Sequence, residues 1–412
     1  MDPSAVLPVE LLQKIFQHYL SDRLDPEGPF PVNPFRGQKP YGYRQTIKYF
    51  TPSLAQALDL SDGLWVLGKV NSAWRSATLS SQTLWSTVLI TLSSRPQWSP
   101  VLIMDRAIRR LPFSSNSNIP SEILTEILHR SGNTPLSIAL LFPIEVAREE
   151  VLSDSVSKSL FAQLSAQSHR WQSMELTAPA MIWEDFVQIS PSRIEALRSL
   201  HATVSSGSFL FQIVGVCSCV VDLTIYVLNA ASNGMDHPAL PPIPVRMPFL
   251  QHLHIRSRRV DVLEAITAPC LQSLTLKVLV YGPDRPSFRS GFVDFIQRSH
   301  CSNSLTVLDL SCTCDYGDLV AMLSHTSSRY TSIPSLLPNL HTLLFEAPGV
   351  LQAADVNLIL DMVESRIAGR LRNVRIGDVF STDMEKLKGR LSSLNSLPNV
   401  AIEFEEIYNL DD

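Results

Sequence analysis

A short sequence pattern, apolar-x-x-apolar-x-apolar, recurs ten times between residues 135 and 402 and dominates the second part of the chain. Its clearest copies lie at residues 250–255, 271–276, 305–310 and 340–345. Weaker copies lie at residues 135–140, 171–176, 197–202, 220–225, 371–376 and 397–402. The mean spacing of about 29 residues leaves room for one strand and one helical or irregular return per unit. Since no such unit can bury its apolar side alone, the pattern predicts stacked units.

The pattern is similar to degenerate leucine-rich repeats. From this resemblance we predict an α/β fold, with an irregular leucine-rich-repeat-like solenoid that follows a small all-α N-terminal part. The family places Asn or Cys three positions beyond the last strand leucine, whereas Arg258, Leu279, Thr313 and Pro348 stand there in this chain. Without that side-chain ladder we expect an irregular stack. The alternative interpretation is an unrelated α/β domain with several buried parallel strands.

Three short segments near the start of the chain are predicted to form helices. In the first, which follows Pro8, the apolar residues recur at helical spacing; they are Leu11, Leu12, Ile15, Phe16 and Tyr19. The second carries Leu64, Leu67, Val70 and Trp74, and the third carries Leu84 and Trp85. Three short helices cannot bury this many large side chains among themselves. We therefore expect part of this surface to contact another protein by helix-in-groove packing.

The order of these residues resembles an F-box of the type common in mushroom-forming (basidiomycete) fungi. The resemblance rests on L-P-x-E-L-L-x-x-I-F at residues 7–16, V-x-x-x-W-R at residues 70–75 and L-W at residues 84–85. It implies a three-helix unit that docks onto the Skp-type linker subunit of a cullin–RING ubiquitin ligase. The residues that it implies form or support the docking surface are Leu7, Pro8, Leu11, Leu12, Ile15, Phe16, Val70, Trp74, Leu84 and Trp85.

We predict three parts along the chain: an F-box-like helical domain at residues 1–92, a helical linker or cap at 93–132, and the repeat domain at 133–412. A stretch rich in proline and glycine, residues 21–61, is predicted to be a surface-loop insertion between the first two helices. Further helices are predicted at about residues 100–111, after Ser99-Pro100, and from Ser121 to a stop at Gly132.

The repeats also predict a substrate face. The two side chains that flank the last strand apolar residue of each copy point to one side of a stack, and in the middle copies they are basic. The candidates for contact with a substrate are His254, Arg256, Lys277 and Arg258. Arginine can hold a carboxylate or phosphate through two hydrogen bonds, so an acidic or phosphorylated partner would fit. The plainer interpretation is a solvated sheet edge.

Composition limits the other function classes. The 412 residues carry a formal net charge of -5 and six cysteines, which gives no reason to expect a nucleic-acid partner or a disulfide scaffold. The most hydrophobic window, 209–228, contains Asp222, which would cost roughly 2.5–3.5 kcal/mol at the centre of a bilayer. We predict a buried helix followed by a buried strand there, with no membrane partner. The start lacks a secretory signal, so we expect a cytoplasmic or nuclear protein.

Sequence signatures of catalysis are lacking. The sequence contains no P-loop, no G-x-S-x-G elbow and no H-E-x-x-H. Cys217 and Cys219, like Cys312 and Cys314, are separated by one residue, whereas zinc sites use C-x-x-C, so buried thiols are predicted. We expect no catalytic residue, metal or cofactor.

The expected function is therefore that of a non-enzymatic adaptor. The resemblance implies that the helical unit recruits the ligase through a Skp-type subunit, while the repeats bind an unknown substrate protein for ubiquitination. The alternative is a protein-binding scaffold whose helical unit caps the open end of the solenoid. In that case the stripe of Leu11 and Ile15 packs inward, so the exposure of this stripe in the free chain distinguishes the two.

Overall fold

The computed structural model describes residues 7–22, 63–91, 119–142, 155–204, 207–227, 243–257, 261–278, 288–312, 323, 337–351, 353–367, 370–397 and 399–407. Within these residues the protein has an α/β fold in which every strand pairing described below is parallel. The chain divides into two compact units, residues 1–182 and residues 183–412.

The first unit begins with helices. They are α1 (Val9–Asp22), α2 (Gly63–Val70), α3 (Ser72–Ser80), a 3-10 turn at Gln82–Trp85, α4 (Ile119–Arg130) and α5 (Ser155–Ala166). The carbonyl of Pro8 accepts hydrogen bonds from the amides of Leu11 and Leu12, which starts α1. Asn71 is the N-cap of α3, and its side-chain oxygen accepts a 2.9 Å hydrogen bond from the amide of Trp74. Helix α4 ends before Gly132, whose φ of 54° is the left-handed conformation that favours glycine.

Three parallel strands complete the first unit in the order β1 (Thr87–Thr91), β2 (Leu136–Leu141) and β3 (Trp171–Thr177). Strand β1 lies inside residues 1–92, which the sequence predicts as a helical domain. The run Val88, Leu89 and Ile90 is buried, as expected for a strand covered on both faces. Because β1 pairs with β2, the helical segments and the first strands belong to one folded unit.

In the second unit, strands and helices alternate. The strands are β4 (Ser199–Val204), β5 (Asp222–Val227), β6 (Val245–Arg246), β7 (His252–Ser257), β8 (Ile266–Thr267), β9 (Ser273–Val278), β10 (Val307–Cys312), β11 (Thr342–Leu351), β12 (Asn373–Phe380) and β13 (Ala401–Ile407). The helices are α6 (Ala180–Val187), which crosses the boundary between the units, α7 (Gly207–Val216), α8 (Phe288–Ser299), α9 (Ala353–Ile367) and α10 (Ser381–Asn395).

The large sheet of the second unit runs β4-β5-β7-β9-β10-β11-β12-β13, while β6 and β8 form a small separate pair. Strand order thus follows chain order. Because crossovers between parallel strands are almost always right-handed, connections of this kind lie on one face of a sheet. Leucines at equivalent register positions pack toward the core and are each at most 2% exposed; they are Leu223, Leu253, Leu274, Leu308 and Leu343.

Each of the ten copies of the repeated pattern overlaps a strand of the structure, although the copy at residues 397–402 does so only at its last two residues. The predicted α/β class is confirmed by the helices and parallel strands given above. Helix α4 confirms the predicted helix that stops at Gly132, while α7 and β5 confirm the buried helix and strand predicted in window 209–228. The predicted helix near residues 100–111 lies outside the described residues, as does the predicted insertion 21–61 apart from the end of α1. No helix in the described part of the chain is long and apolar enough to cross a membrane.

Candidate docking surface and sheet face

Helix α1 carries two different apolar faces. Leu12 and Phe16 are buried, at 1% and 0% exposure, whereas Leu11 and Ile15 remain 46% and 47% exposed. The two exposed residues are four positions apart and therefore lie one above the other on the helix. Glu10 and Lys14, both exposed, are polar neighbours of this stripe. Sequence periodicity assigned all four apolar residues to one stripe, and the structure separates them into a core pair and a surface pair.

The buried residues hold α1 against α3. The ring of Phe16 lies 5.0 Å from the ring of Trp74, centroid to centroid. On the same side of α1, the Nε2 of Gln13 donates to the carbonyl of Ala77 at 3.4 Å. These contacts fix the orientation in which the outer stripe is presented.

The ten predicted docking residues thus fall into two groups. The exposed ones are Leu7, Pro8, Leu11, Ile15 and Val70. The supporting ones, buried or half-buried, are Leu12, Phe16, Trp74, Leu84 and Trp85. The structure adds three exposed apolar residues that the motif did not include, Val9, Val66 and Leu79. Val66 and Val70 are four positions apart on α2, and this spacing is the sequence signal that could have found Val66.

Two tryptophans connect the helical segments to α4. Trp85 is 2% exposed, and its indole N–H donates a 2.8 Å hydrogen bond to the carbonyl of Thr78. The Trp65 ring packs edge-on against it at 5.0 Å. The guanidinium carbon of Arg130 lies 4.9 Å from the Trp65 ring centre and 4.6 Å from that of Trp85, a cation–π arrangement. Glu126 accepts a 2.7 Å hydrogen bond from the same guanidinium.

The second unit presents the predicted substrate face. His201, Thr224, His254 and Thr275 are successive register partners on β4, β5, β7 and β9. Two residues further along, Tyr226, Arg256 and Lys277 are likewise register partners. Alternate residues of a strand share a face, so both rows lie on the face opposite the leucine core. The structure therefore brings together His254, Arg256 and Lys277, whereas Arg258 lies outside the described residues.

Three rings cluster on this face. The Tyr226 ring lies 5.0 Å from His201 and 5.3 Å from His254. Burial lowers the pKa of His201 to about 4. Burial also lowers the pKa of His254 to about 4, with further contributions from Lys277, His201 and Arg256. The Nε2 atoms of both imidazoles are buried and have no hydrogen-bond partner among the residues that the structure describes. The repeat pattern places His201, Tyr226 and His254 on one face, but it does not indicate that their rings are buried against one another.

A single buried carboxylate stands out in the first unit. Glu175 on β3 is 4% exposed, and burial raises its pKa to about 7. Its register partner on β2 is Ala139, which offers no polar side chain. The carboxyl is therefore protonated over part of the neutral range.

Of the cysteines predicted to be buried thiols, Cys217 is buried and Cys219 is half-buried; elsewhere Cys301 is buried and Cys270 is exposed. Cys217 and Cys301 are buried, and burial raises the pKa of Cys301 to about 11 and that of Cys217 as well. A thiol with a raised pKa holds little thiolate near neutral pH and is a weak nucleophile. Among the described residues no group of three or more His, Cys, Asp or Glu side chains is arranged to hold a metal ion. Cys314 lies outside the described residues.

Comparisons with known proteins include a distant structural likeness. Neither the scan against protein-family models nor the search of curated proteins gives a match. A protein of Bacteroides fragilis with a crystal structure aligns at a TM-score of 0.39 and 16% identity, over 71% of this chain and 72% of that one. A likeness at this level carries no argument about function.

Proposed function

We propose that this protein is a substrate-recognition adaptor of an SCF-type cullin–RING ubiquitin ligase. In this proposal the exposed face of α1 and α2 docks onto a Skp-type subunit, and the sheet of the second unit binds the protein to be ubiquitinated. The chain supplies binding and positioning, while the ligase supplies the chemistry.

The observation that carries the proposal is the exposure of Leu11 and Ile15 in the free chain. A helical unit that served only to cap its own repeats would pack this stripe inward. Fully burying a leucine or isoleucine contributes roughly 1.5–3 kcal/mol, so covering two half-exposed ones contributes on the order of 2 kcal/mol. Val66 and Val70 on α2 offer additional apolar area of the same kind.

The packing beneath the stripe supports the proposal from a second direction. A docking helix must be held rigidly if its energy is to go into binding rather than into ordering the surface. The Phe16–Trp74 contact and the hydrogen bond from Gln13 to Ala77 hold α1, and the cap at Asn71 starts α3. The residues of the resembled motif that are buried are thus the ones that position the exposed residues.

The arrangement of strands supports the repeat part of the proposal. Eight parallel strands follow one another in chain order, each copy of the pattern forming one strand. Stacking of similar units in this way is typical of leucine-rich-repeat-like solenoids, which bind partners on the face without helices. The polar rows of His254, Arg256 and Lys277 belong to that face.

The test is co-purification of the full chain with a purified fungal Skp-type subunit. Leu11→Asp combined with Ile15→Asp should abolish binding, because the complex would then bury two unpaired carboxylates. The matched control is Leu358→Asp on α9, a leucine with similar exposure (43%) in the second unit, and it should bind like the wild type. Circular dichroism checks that the wild type and both variants are folded.

Either of two outcomes contradicts the proposal. Binding that survives the Leu11/Ile15 double substitution would show that the docking face is placed wrongly. Failure of the folded wild-type chain to bind would favour the scaffold alternative, in which no ligase is recruited. Point substitutions are preferable to deletion of residues 1–90, since that deletion removes the buried strand residues of β1 and would destabilise the first unit.

A further inference from the structure

Two cationic side chains lie side by side on the face of the second unit's sheet that is opposite the leucine core. Arg256 and Lys277 are register partners on neighbouring parallel strands, so their backbones are about 4.8 Å apart. Both side chains are partly exposed. A guanidinium in this position can form two hydrogen bonds to a planar anion.

The groups around Arg256 and Lys277 include hydroxyl donors for an anion and an aromatic ring against which an apolar part of the same ligand could pack. Hydroxyl groups flank His254 on both sides, because its register partners are Thr224 and Thr275. Tyr226, the register partner of Arg256, presents a ring that already packs against two imidazoles. His201, 7% exposed, keeps an unpartnered Nε2 in this cluster. Leaving a buried polar atom without a partner is costly, so a hydrogen-bonding ligand beside this atom would be favoured.

We propose that this patch binds an acidic segment of a partner protein, with Arg256 and Lys277 holding a carboxylate or phosphate and His254 taking up a proton as the anion binds. The identification of that partner as a ubiquitination substrate rests on the proposed function; the anion site itself does not.

The expected proton uptake by His254 follows from the titratable and charged groups that lie on its face of the sheet. These are His201 on β4, Asp222 and Tyr226 on β5, His252 and Arg256 on β7 itself, Lys277 on β9, and Asp309 on β10. An oxygen of Asp222 lies 3.7 Å from the Nε2 of His252, its register partner, in the row before that of His254, whereas Lys277 lies in the row after it. Burial is the largest cause of the lowered pKa of His254, and the cations Lys277 and Arg256 lower this pKa further. An anion that neutralises the two cations removes their contribution and attracts the imidazolium directly, which opposes the effect of burial.

The experiment measures binding of fluorescein-labelled peptides to the full chain by fluorescence anisotropy. The probes are hexaglutamate, a serine–glycine peptide that carries phosphoserines to the same total charge, and hexaglutamine. We expect the two acidic probes to bind saturably and hexaglutamine not to bind. The ratio of the two acidic affinities shows whether the patch prefers carboxylate or phosphate.

Neutral variants locate the site. Arg256→Gln with Lys277→Gln should weaken binding of the acidic probes by at least about tenfold, which corresponds to 1.4 kcal/mol. The matched control is Arg246→Gln, an exposed arginine on β6 outside the large sheet, and it should change the affinity little. Equal binding by the double variant, or no saturable binding of either acidic probe up to about 1 mM, overturns the proposal.

Proton uptake by His254 is tested by measuring the affinity for hexaglutamate at pH 7.5 and at pH 6.0. If the bound anion restores the ordinary histidine pKa of about 6.5, the affinity rises about fourfold on acidification. His254→Gln should remove this rise while the other histidines still titrate. A rise of equal size in His254→Gln contradicts proton uptake at this residue. None of these assays contains a Skp-type subunit, so their failure is distinct from failure of the docking experiment.

Discussion

Acidification should destabilise the second unit through its buried histidines, and His201 allows the effect to be calculated. Its folded-state pKa is about 4, against an ordinary value of 6.5, because burial disfavours the imidazolium. A group with a lowered folded-state pKa binds more protons in the unfolded chain, so its contribution is present above pH 6.5 and is lost as the pH falls toward 4. Between pH 7.5 and pH 5.0 this one residue lowers the free energy of unfolding by about 2 kcal/mol.

The substitution His201→Phe tests this value. It keeps a ring against Tyr226, 5.0 Å away in the wild type, but removes the titrating group. Stability at pH 7.5 should change little, whereas the loss between pH 7.5 and pH 5.0 should shrink by about 2 kcal/mol. His341→Phe, at an exposed position, is the control for the ring exchange.

Because the chain has two units, a single unfolding midpoint would mix their stabilities. Urea titrations at each pH should therefore be followed by hydrogen exchange of peptides from β4 and β5, which report the second unit. If His201→Phe loses as much stability on acidification as the wild type does, the burial argument for His201 is refuted.

Three further substitutions follow from local geometry. Because burial raises the pKa of Glu175 to about 7, the free energy of unfolding falls as the pH rises from 4.5 to 7. Glu175→Gln should remove about 3 kcal/mol of this fall, measured by urea unfolding at each pH. The same fall in the variant as in the wild type contradicts the prediction. Gly132→Ala should lower the melting temperature measured by calorimetry, because the position has a positive φ and the new Cβ would lie 2.6 Å from the Gln82 side chain. An unchanged melting temperature would show that the backbone at residue 132 and the Gln82 side chain both relax without cost. Arg130→Ala should lower the free energy of unfolding by on the order of 1–2 kcal/mol, because the side chain loses its contacts with two indole rings. Arg193→Ala, on the exposed turn after α6, is the control. An equal loss of stability in both variants would contradict the cation–π contribution.

The strands of the second unit were accessible from sequence because their signal is repeated. Leu253, Leu274 and Leu308 each stand at the same point of the pattern, and the structure places them in register on neighbouring strands. Strand β1 was missed because its buried run Val88–Leu89–Ile90 stands alone and follows directly on Leu84 and Trp85, which were assigned to a helix. A short continuous apolar run does not distinguish a strand from a buried helical segment.

The candidate site was only partly predictable, for a physical reason. Leu11 and Leu12 are adjacent and chemically identical, yet one is 46% exposed and the other 1%. Periodicity specifies which residues share a side of a helix, but the contact with Trp74 determines which of them is covered. Likewise the row that contains His201 was visible from the pattern, whereas its burial depends on neighbours that no local pattern encodes.

Hydrogen–deuterium exchange of the full chain, alone and with a saturating Skp-type subunit, tests whether the helical unit recruits a ligase. We expect added protection in α1 and α2, beneath the exposed residues Leu11, Ile15 and Val70, with no change in β9 and β10. Protection confined to the second unit, or none in a folded chain, would contradict the proposal that the helical unit recruits a ligase.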